Sequence, residues 1–124
     1  MVERRAVVCV VDDDEGVRSA LKFALEVEGL DVRLYEGSRA LLAEQNLPLR
    51  ACLVIDYRMP EMDGLELVHA LRMRNIDLPV IMITGRANRD LYRRVAKSGV
   101  HCLLEKPLSD SQLVACVRSA LAGG

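Results

Sequence analysis

Short apolar runs alternate with segments of helical period along the whole chain. Ala6 to Val11 is unbroken and rich in β-branched valine. From Glu15 to Glu28 the period changes: Val17, Ala20, Leu21, Ala24 and Leu25 recur at the spacing of one helical stripe, and Gly29 closes the segment. Asp31 to Tyr35 alternates polar and apolar residues, with Val32 and Leu34 on one face. Gly37 to Asn46 reads as a short helix with Ser38 as its cap. Ala51 to Ile55 is a second unbroken run, and Asp63 with Glu66 forms a capping pair ahead of a helix from Gly64 to about Arg74. Val80 to Ile83 is a third unbroken run. Asn88 to Ser98 then carries a narrow apolar face of Leu91, Tyr92, Val95 and Ala96, closed by Gly99. Val100 to Leu104 is a last strand. Ser109 and Gln112 read as a capping box for a final helix that presents Leu113, Cys116, Val117, Ala120 and Leu121.

Strict alternation of strand and helix implies a parallel sheet with helices on both faces. A strand covered on both faces reads as a continuous apolar run, whereas an edge strand alternates. The first, third and fourth strands are of the continuous kind and the second alternates, which places the second at an edge. The expected fold is α/β, a flavodoxin-like (βα)5 doubly wound sheet of order 2-1-3-4-5. In that order ligands bind at the carboxyl ends of the strands, where the first and third diverge. No repeat or linker interrupts the pattern, so residues 1–124 read as a single domain.

Composition narrows the function. Seventeen Lys and Arg against eighteen Asp and Glu leave a net charge of −1, which argues against a nucleic-acid arm or a membrane-surface protein. No apolar run is long enough to span a bilayer. Met1 to Ala6, with Glu3, Arg4 and Arg5, lacks the apolar stretch of a secretory leader, so a cytoplasmic location is expected. Cys9, Cys52, Cys102 and Cys116 are far apart, lack metal-site spacing and read as buried reduced thiols. The aromatics are Phe23, Tyr35, Tyr57 and Tyr92, so the core is aliphatic and offers no stacking platform for bases.

The expected strand ends collect one kind of chemistry. Asp12, Asp13, Asp14 and Glu15 follow the first strand, Asp56 the third, Thr84-Gly85 the fourth and Lys106-Pro107 the fifth. Converging carboxylates repel unless a cation offsets them, and oxygen donors without His or Cys suit a hard ion such as Mg²⁺. The ligand set is Asp12, Asp13 and Asp56, with a backbone carbonyl near Arg58. Asp14 and Glu15 instead suit the start of the first helix. Lys106, the Thr84 hydroxyl and the Gly85 N–H make a cradle for a phosphoryl group. His69 and His101 have no paired nucleophile and receive no role.

Val11-Asp12-Asp13, the run Asp56-Tyr57-Arg58-Met59-Pro60-Glu61-Met62-Asp63-Gly64, Thr84-Gly85 and Glu105-Lys106-Pro107 together resemble the receiver domain of two-component response regulators. The D-x-x-M-P-x-M-D-G stretch is specific by itself, and the resemblance covers essentially the whole chain. The Thr-Gly and Glu-Lys-Pro pieces lean toward receivers of the nitrogen-fixation and LuxR-type group. The resemblance implies that Asp56 accepts a phosphoryl group from a sensor histidine kinase or a small phosphodonor, with Thr84 and Lys106 assisting. It implies a signalling phosphoprotein rather than a classical enzyme, one that hydrolyses its own phosphate slowly. Its output face would be the fourth helix, fifth strand and fifth helix. Lys106-Pro107 is often cis in the family.

Three features depart from the family pattern. Receivers commonly carry Phe or Tyr three residues before the lysine, where this chain has Leu103. Arg58 and Arg86, each two residues beyond a site residue, read either as solvated loop arginines or as groups that overhang the phosphoryl site and set its lifetime. The fourth helix gathers Arg86, Arg89, Arg93, Arg94 and Lys97 against one acid, Asp90, and reads either as a solvated charged face or, more sharply, as a docking face for an acidic partner or a second receiver. Direct DNA binding has no helix-turn-helix here to house it.

Rival functions are weaker. A haloacid-dehalogenase-type phosphohydrolase would want a second acid at position 58, which is Arg58. A nucleotide or flavin binder would want a Gly-rich loop where Asp12-Asp13-Asp14 stands. A receiver that signals without phosphate would not need Asp56, Thr84 and Lys106 together.

Overall fold

The computed structural model describes residues 6–123. The segment Met1 to Arg5, read above as a charged approach to the first strand, and the terminal Gly124 lie outside the described residues. The element order is β1 (Val7–Val11), α1 (Glu15–Val27), β2 (Asp31–Tyr35), α2 (Ser38–Ala43), β3 (Ala51–Asp56), α3 (Gly64–Met73), β4 (Val80–Thr84), α4 (Arg89–Ser98), β5 (Cys102–Glu105) and α5 (Asp110–Ala122). All strand pairs are parallel, in the order β2-β1-β3-β4-β5, with β2 at an edge as the alternating pattern requires.

Side chains of a strand alternate between faces, and two core layers follow from that. Val8 and Val10 of β1 face one layer with Leu21 and Leu25 of α1 and Leu113, Val117 and Ala120 of α5. Cys9 and Val11 face the other, with Leu41 of α2 and Leu67, Val68 and Leu71 of α3. Fully buried Leu53, Ile55, Ile81 and Met82 fill the central strands, each stabilising the fold by about 1.5–3 kcal/mol relative to exposure.

Helix caps follow the sequence with two exceptions. The Asp14 carboxylate caps α1 by accepting from the Val17 N–H at 3.1 Å. Asp63 and Glu66 close a reciprocal box at the start of α3, each accepting the other's backbone N–H at 2.9 Å. Asn88 caps α4, and Ser109 caps α5 by accepting from Gln112 N–H, but the Gln112 side chain does not return the bond, so the expected capping box is only half formed. Ser38 does not cap α2. Gly37 takes that position, and the buried Ser38 hydroxyl instead donates to the Met62 carbonyl at 3.0 Å. The hydroxyl ties α2 to the loop after β3, and α2 ends at Ala43, short of the expected Asn46.

Other expectations shift in detail. The strands β3, β4 and β5 each run one residue further, so Asp56, Thr84 and Glu105 are terminal strand residues held in the ladder. β5 begins at Cys102 rather than Val100. On α4, Leu91 and Val95 are buried, but Tyr92 and Ala96 face outward, because the short helix meets the core along a seam only two residues wide. Ala20 of the α1 stripe is also exposed. All four cysteines are free; Cys9 and Cys52 are buried, whereas Cys102 and Cys116 are only half-buried at the β5–α5 seam.

Candidate functional site

Register brings the acids together. Val11 of β1 pairs with Ile55 of β3, so the next residues along, Asp12 and Asp56, leave the sheet side by side. With Asp13 they form a group whose carboxylate oxygens lie within 4.8 Å of one another, Asp12 and Asp56 buried and Asp13 exposed. Hydrogen bonds fix the Asp12 backbone and side chain. Its N–H donates to the Tyr35 carbonyl at 3.2 Å, its carbonyl accepts from Arg18 Nη1 at 2.7 Å, and its Oδ1 accepts from the Asp14 N–H at 2.9 Å.

Asp56 is 7% exposed. Lys106, reaching in from the end of β5, places Nζ 3.6 Å from Asp56 Oδ1. Burial is the largest influence on Asp56, followed by the charge of Asp12. Lys106 opposes both, and the carboxyl is nonetheless pushed up to about 6. Asp12 is raised as well, again chiefly by burial. At neutral pH Asp56 is therefore still mostly a carboxylate, but an ill-compensated one. Such a site favours any added cation, and three hard oxygen donors of this spacing fit a divalent ion.

Backbone bonds carry the strand ends onward. Tyr57 N–H donates to the Ile83 carbonyl at 2.7 Å and Lys106 N–H to the Thr84 carbonyl at 2.8 Å. The loop after Asp56 returns sharply, with the Gly64 N–H donating to the Tyr57 carbonyl at 2.8 Å. Only glycine permits that approach: a Cβ on Gly64 would sit 2.5 Å from Met82 Sδ and 3.0 Å from the Asp56 carbonyl oxygen. The loop is further held by Arg39 Nε, 2.8 Å from the Glu61 carboxylate. The Lys106-Pro107 peptide is cis.

The remaining sequence-predicted residues divide. Thr84 is buried at the end of β4, yet its hydroxyl is not turned to Asp56. It donates to the Arg86 carbonyl at 3.2 Å and accepts from the Arg86 N–H at 3.4 Å. Gly85, Arg58 and Arg86 follow the strand ends at exposed positions. Among the described residues the ion pair to Asp56 comes from Lys106, not from either arginine. The basic side chains of α4 are all exposed, and Arg94 among them reaches across, its Nη1 donating to the Tyr57 hydroxyl at 3.1 Å.

Sequence reasoning missed Arg18, Ser38 and the Tyr57–Arg94 bond. The first two bond backbone carbonyls of Asp12 and Met62, and no residue pattern signals such a partner. Tyr57 adjoins Asp56, a hint of position but not of direction.

The sequence profile of the response regulator receiver domain matches residues 8–118. The transcriptional regulatory protein FixJ of Azorhizobium caulinodans is 41% identical over 115 residues, which are 92% of this chain and 54% of that protein. The C4-dicarboxylate transport transcriptional regulatory protein DctD of Pseudomonas aeruginosa is 38% identical over 92% of this chain and 25% of its own length. The chain thus spans about half the length of FixJ, or less of DctD. Among solved structures, FixJ-N superposes with a TM-score of 0.88 at 32% identity, covering 97% of this chain and 96% of that one. The chemotaxis protein CheY4 of Vibrio cholerae superposes with a TM-score of 0.87 at 26% identity, covering 95% and 100%. No helix among the described residues is long and apolar enough to cross a membrane.

Proposed function

The chain belongs to the response regulator receiver domain family, and from that premise we propose that Asp56 is its phosphoacceptor. The observation that carries the reading is the buried Asp56 carboxylate, within 4.8 Å of the Asp12 and Asp13 oxygens and 3.6 Å from Lys106 Nζ. In the reaction an Asp56 oxygen attacks phosphorus, and the bond from phosphorus to the donor breaks. The donor is a sensor kinase phosphohistidine or a small acyl phosphate, and the bonding pair leaves with the imidazole or carboxylate. The product is a mixed anhydride on Asp56. Water later attacks its phosphorus, releasing inorganic phosphate and restoring the carboxylate, so the signal decays unaided. An ionised carboxylate needs no general base, and the site contributes position and charge.

Each residue has a task in this reading. Lys106 holds a phosphoryl oxygen through its ammonium, with Thr84 and the Gly85 N–H completing the cradle. Asp12, Asp13, Asp56 and the Arg58 backbone carbonyl would hold Mg²⁺, whose charge offsets that of the transferring phosphoryl oxygens. Arg58 and Arg86, each two residues beyond a site residue, would set how readily water enters. The added charge on Asp56, about −1.5 to −2, draws the Thr84 hydroxyl away from the Arg86 backbone, and the loop leading to α4 moves with it. The output is a changed α4-β5-α5 face, offering Arg89, Arg93, Arg94 and Lys97 to a second copy or a downstream protein. In this reading residues 1–124 form one receiver unit, acting in the cytoplasm as a signalling partner rather than a metabolic catalyst.

The test is intact-mass analysis after incubation with acetyl phosphate and Mg²⁺. One phosphoryl adduct that disappears with EDTA or in Asp56→Asn is expected. An adduct that persists in Asp56→Asn would remove the assignment.

A further inference from the structure

Tyr57 is the residue that follows Asp56, and three elements hold it. Its N–H bonds β4 at the Ile83 carbonyl (2.7 Å), its carbonyl bonds the first residue of α3 at Gly64 (2.8 Å), and its hydroxyl bonds α4 at Arg94 (3.1 Å). The ring is half-buried and packs against the same core layer as Leu103. Arg94 is steadied from its own helix by Asp90, whose carboxylate lies 3.8 Å from the same Nη1. The backbone of Tyr57 is fixed by two bonds to rigid elements, so a movement of α4 must be met by rotation of the Tyr57 or Arg94 side chain or by loss of the bond between them. α4, in contrast, is reached from β4 through a loop that the Thr84 hydroxyl holds by both polar groups of Arg86. Releasing those bonds would loosen the loop that leads into α4 without breaking either backbone bond of Tyr57.

We propose that the Tyr57–Arg94 hydrogen bond is a latch formed only in the resting state, by which the state of Asp56 and the position of α4 constrain each other. It gives the chain an aromatic coupling element on the phosphoacceptor loop, whereas β5 carries the aliphatic Leu103. The inference rests on the reading of Asp56 as phosphoacceptor. A contact present in one state and absent in the other biases the equilibrium between them. Linkage then requires that loss of the latch favour the phosphorylated state at equilibrium, and labelling speeds up because the unlatched conformation is the one this inference takes to accept phosphate. The latch is a single exposed hydrogen bond, so its contribution is modest.

The experiment is a double-mutant cycle of Tyr57→Phe and Arg94→Met, with Arg94→Lys as a conservative variant. Two readouts are taken on the full chain: the rate of labelling by acetyl phosphate with Mg²⁺, and the amide hydrogen exchange of α4 without any phosphodonor. Each single variant is expected to speed both by about two- to five-fold, the range of one weak net hydrogen bond. The double variant should match the singles rather than multiply them, since only one bond is lost. Arg94→Lys should stay near the wild type. Destabilisation alone would raise exchange without speeding phosphorylation, so the labelling rate separates a latch from a merely structural contact. A wild-type chain that takes no label removes the phosphoacceptor reading and this inference with it. A wild-type chain that labels normally, with single variants unchanged or slower, or with a double variant at the product of the singles, overturns the latch alone.

Discussion

Replacing Asp56 by asparagine should stabilise the metal-free protein. In the fold, burial and the neighbouring Asp12 raise the Asp56 carboxyl from 3.8 to about 6 despite Lys106. At neutral pH the folded state must therefore hold a charge it disfavours by about 3 kcal/mol. The side chain is 8% exposed, so solvent screening takes little from that figure. Asparagine has nearly the same shape, carries no charge and can donate its amide N–H to the Asp12 carboxylate. The sign with pH follows directly. The folded protein binds the Asp56 proton more tightly than the unfolded chain, so the stability this group contributes is complete below pH 3.8 and is lost as pH rises to about 6. Urea unfolding in EDTA at pH 7 should show Asp56→Asn more stable by about 2–3 kcal/mol, most of the charge penalty. The gap should close as the pH approaches 4. Mg²⁺ should stabilise the wild type by about 2.7 kcal/mol at a hundred times its dissociation constant, and the variant much less. An Asp56→Asn protein no more stable than wild type at pH 7 without metal would refute the reasoning.

Other residues give separate checks. Lys106→Ala removes the cation 3.6 Å from Asp56, and labelling by acetyl phosphate should slow at least about ten-fold, the loss of one transition-state charge contact; intact mass over time measures it. Gly64→Ala forces a Cβ against Met82 Sδ and the Asp56 backbone, with an expected loss of about 1–3 kcal/mol in urea unfolding. Arg58→Ala and Arg86→Ala should each shorten or lengthen the life of the phosphorylated form in a chase after donor removal; unchanged decay in both would leave them as solvated loop residues.

Much of the fold was legible because its signals are local. Unbroken apolar runs marked β1, β3 and β4 as central, the alternating Asp31 to Tyr35 marked the edge, and Asp63 with Glu66 marked a helix start to the residue. The acidic cluster was legible for the same reason: a parallel sheet of known order sends every strand end to one rim, so Asp12, Asp56, Thr84 and Lys106 had to converge. What escaped were contacts made by long or ambiguous side chains. Ser38 has the chemistry of a cap, and only the nearness of the Met62 carbonyl redirects it. Tyr92 fits the apolar periodicity of α4, yet half of it is exposed, because the helix is too short to bury a wide face. Arg94 looked like one member of a basic surface, and its reach to Tyr57 depends on how α4 sits beside the loop after β3.

Asp56 as the acceptor is tested most directly by locating the label. The chain is incubated with acetyl phosphate and Mg²⁺, and the acyl phosphate is reduced with borohydride, which converts a phosphorylated aspartate into homoserine. The product is then digested and sequenced by mass spectrometry. Homoserine at position 56, with Asp12 and Asp13 intact, is the expected result. Homoserine at Asp12 or Asp13 with Asp56 unmodified would contradict it.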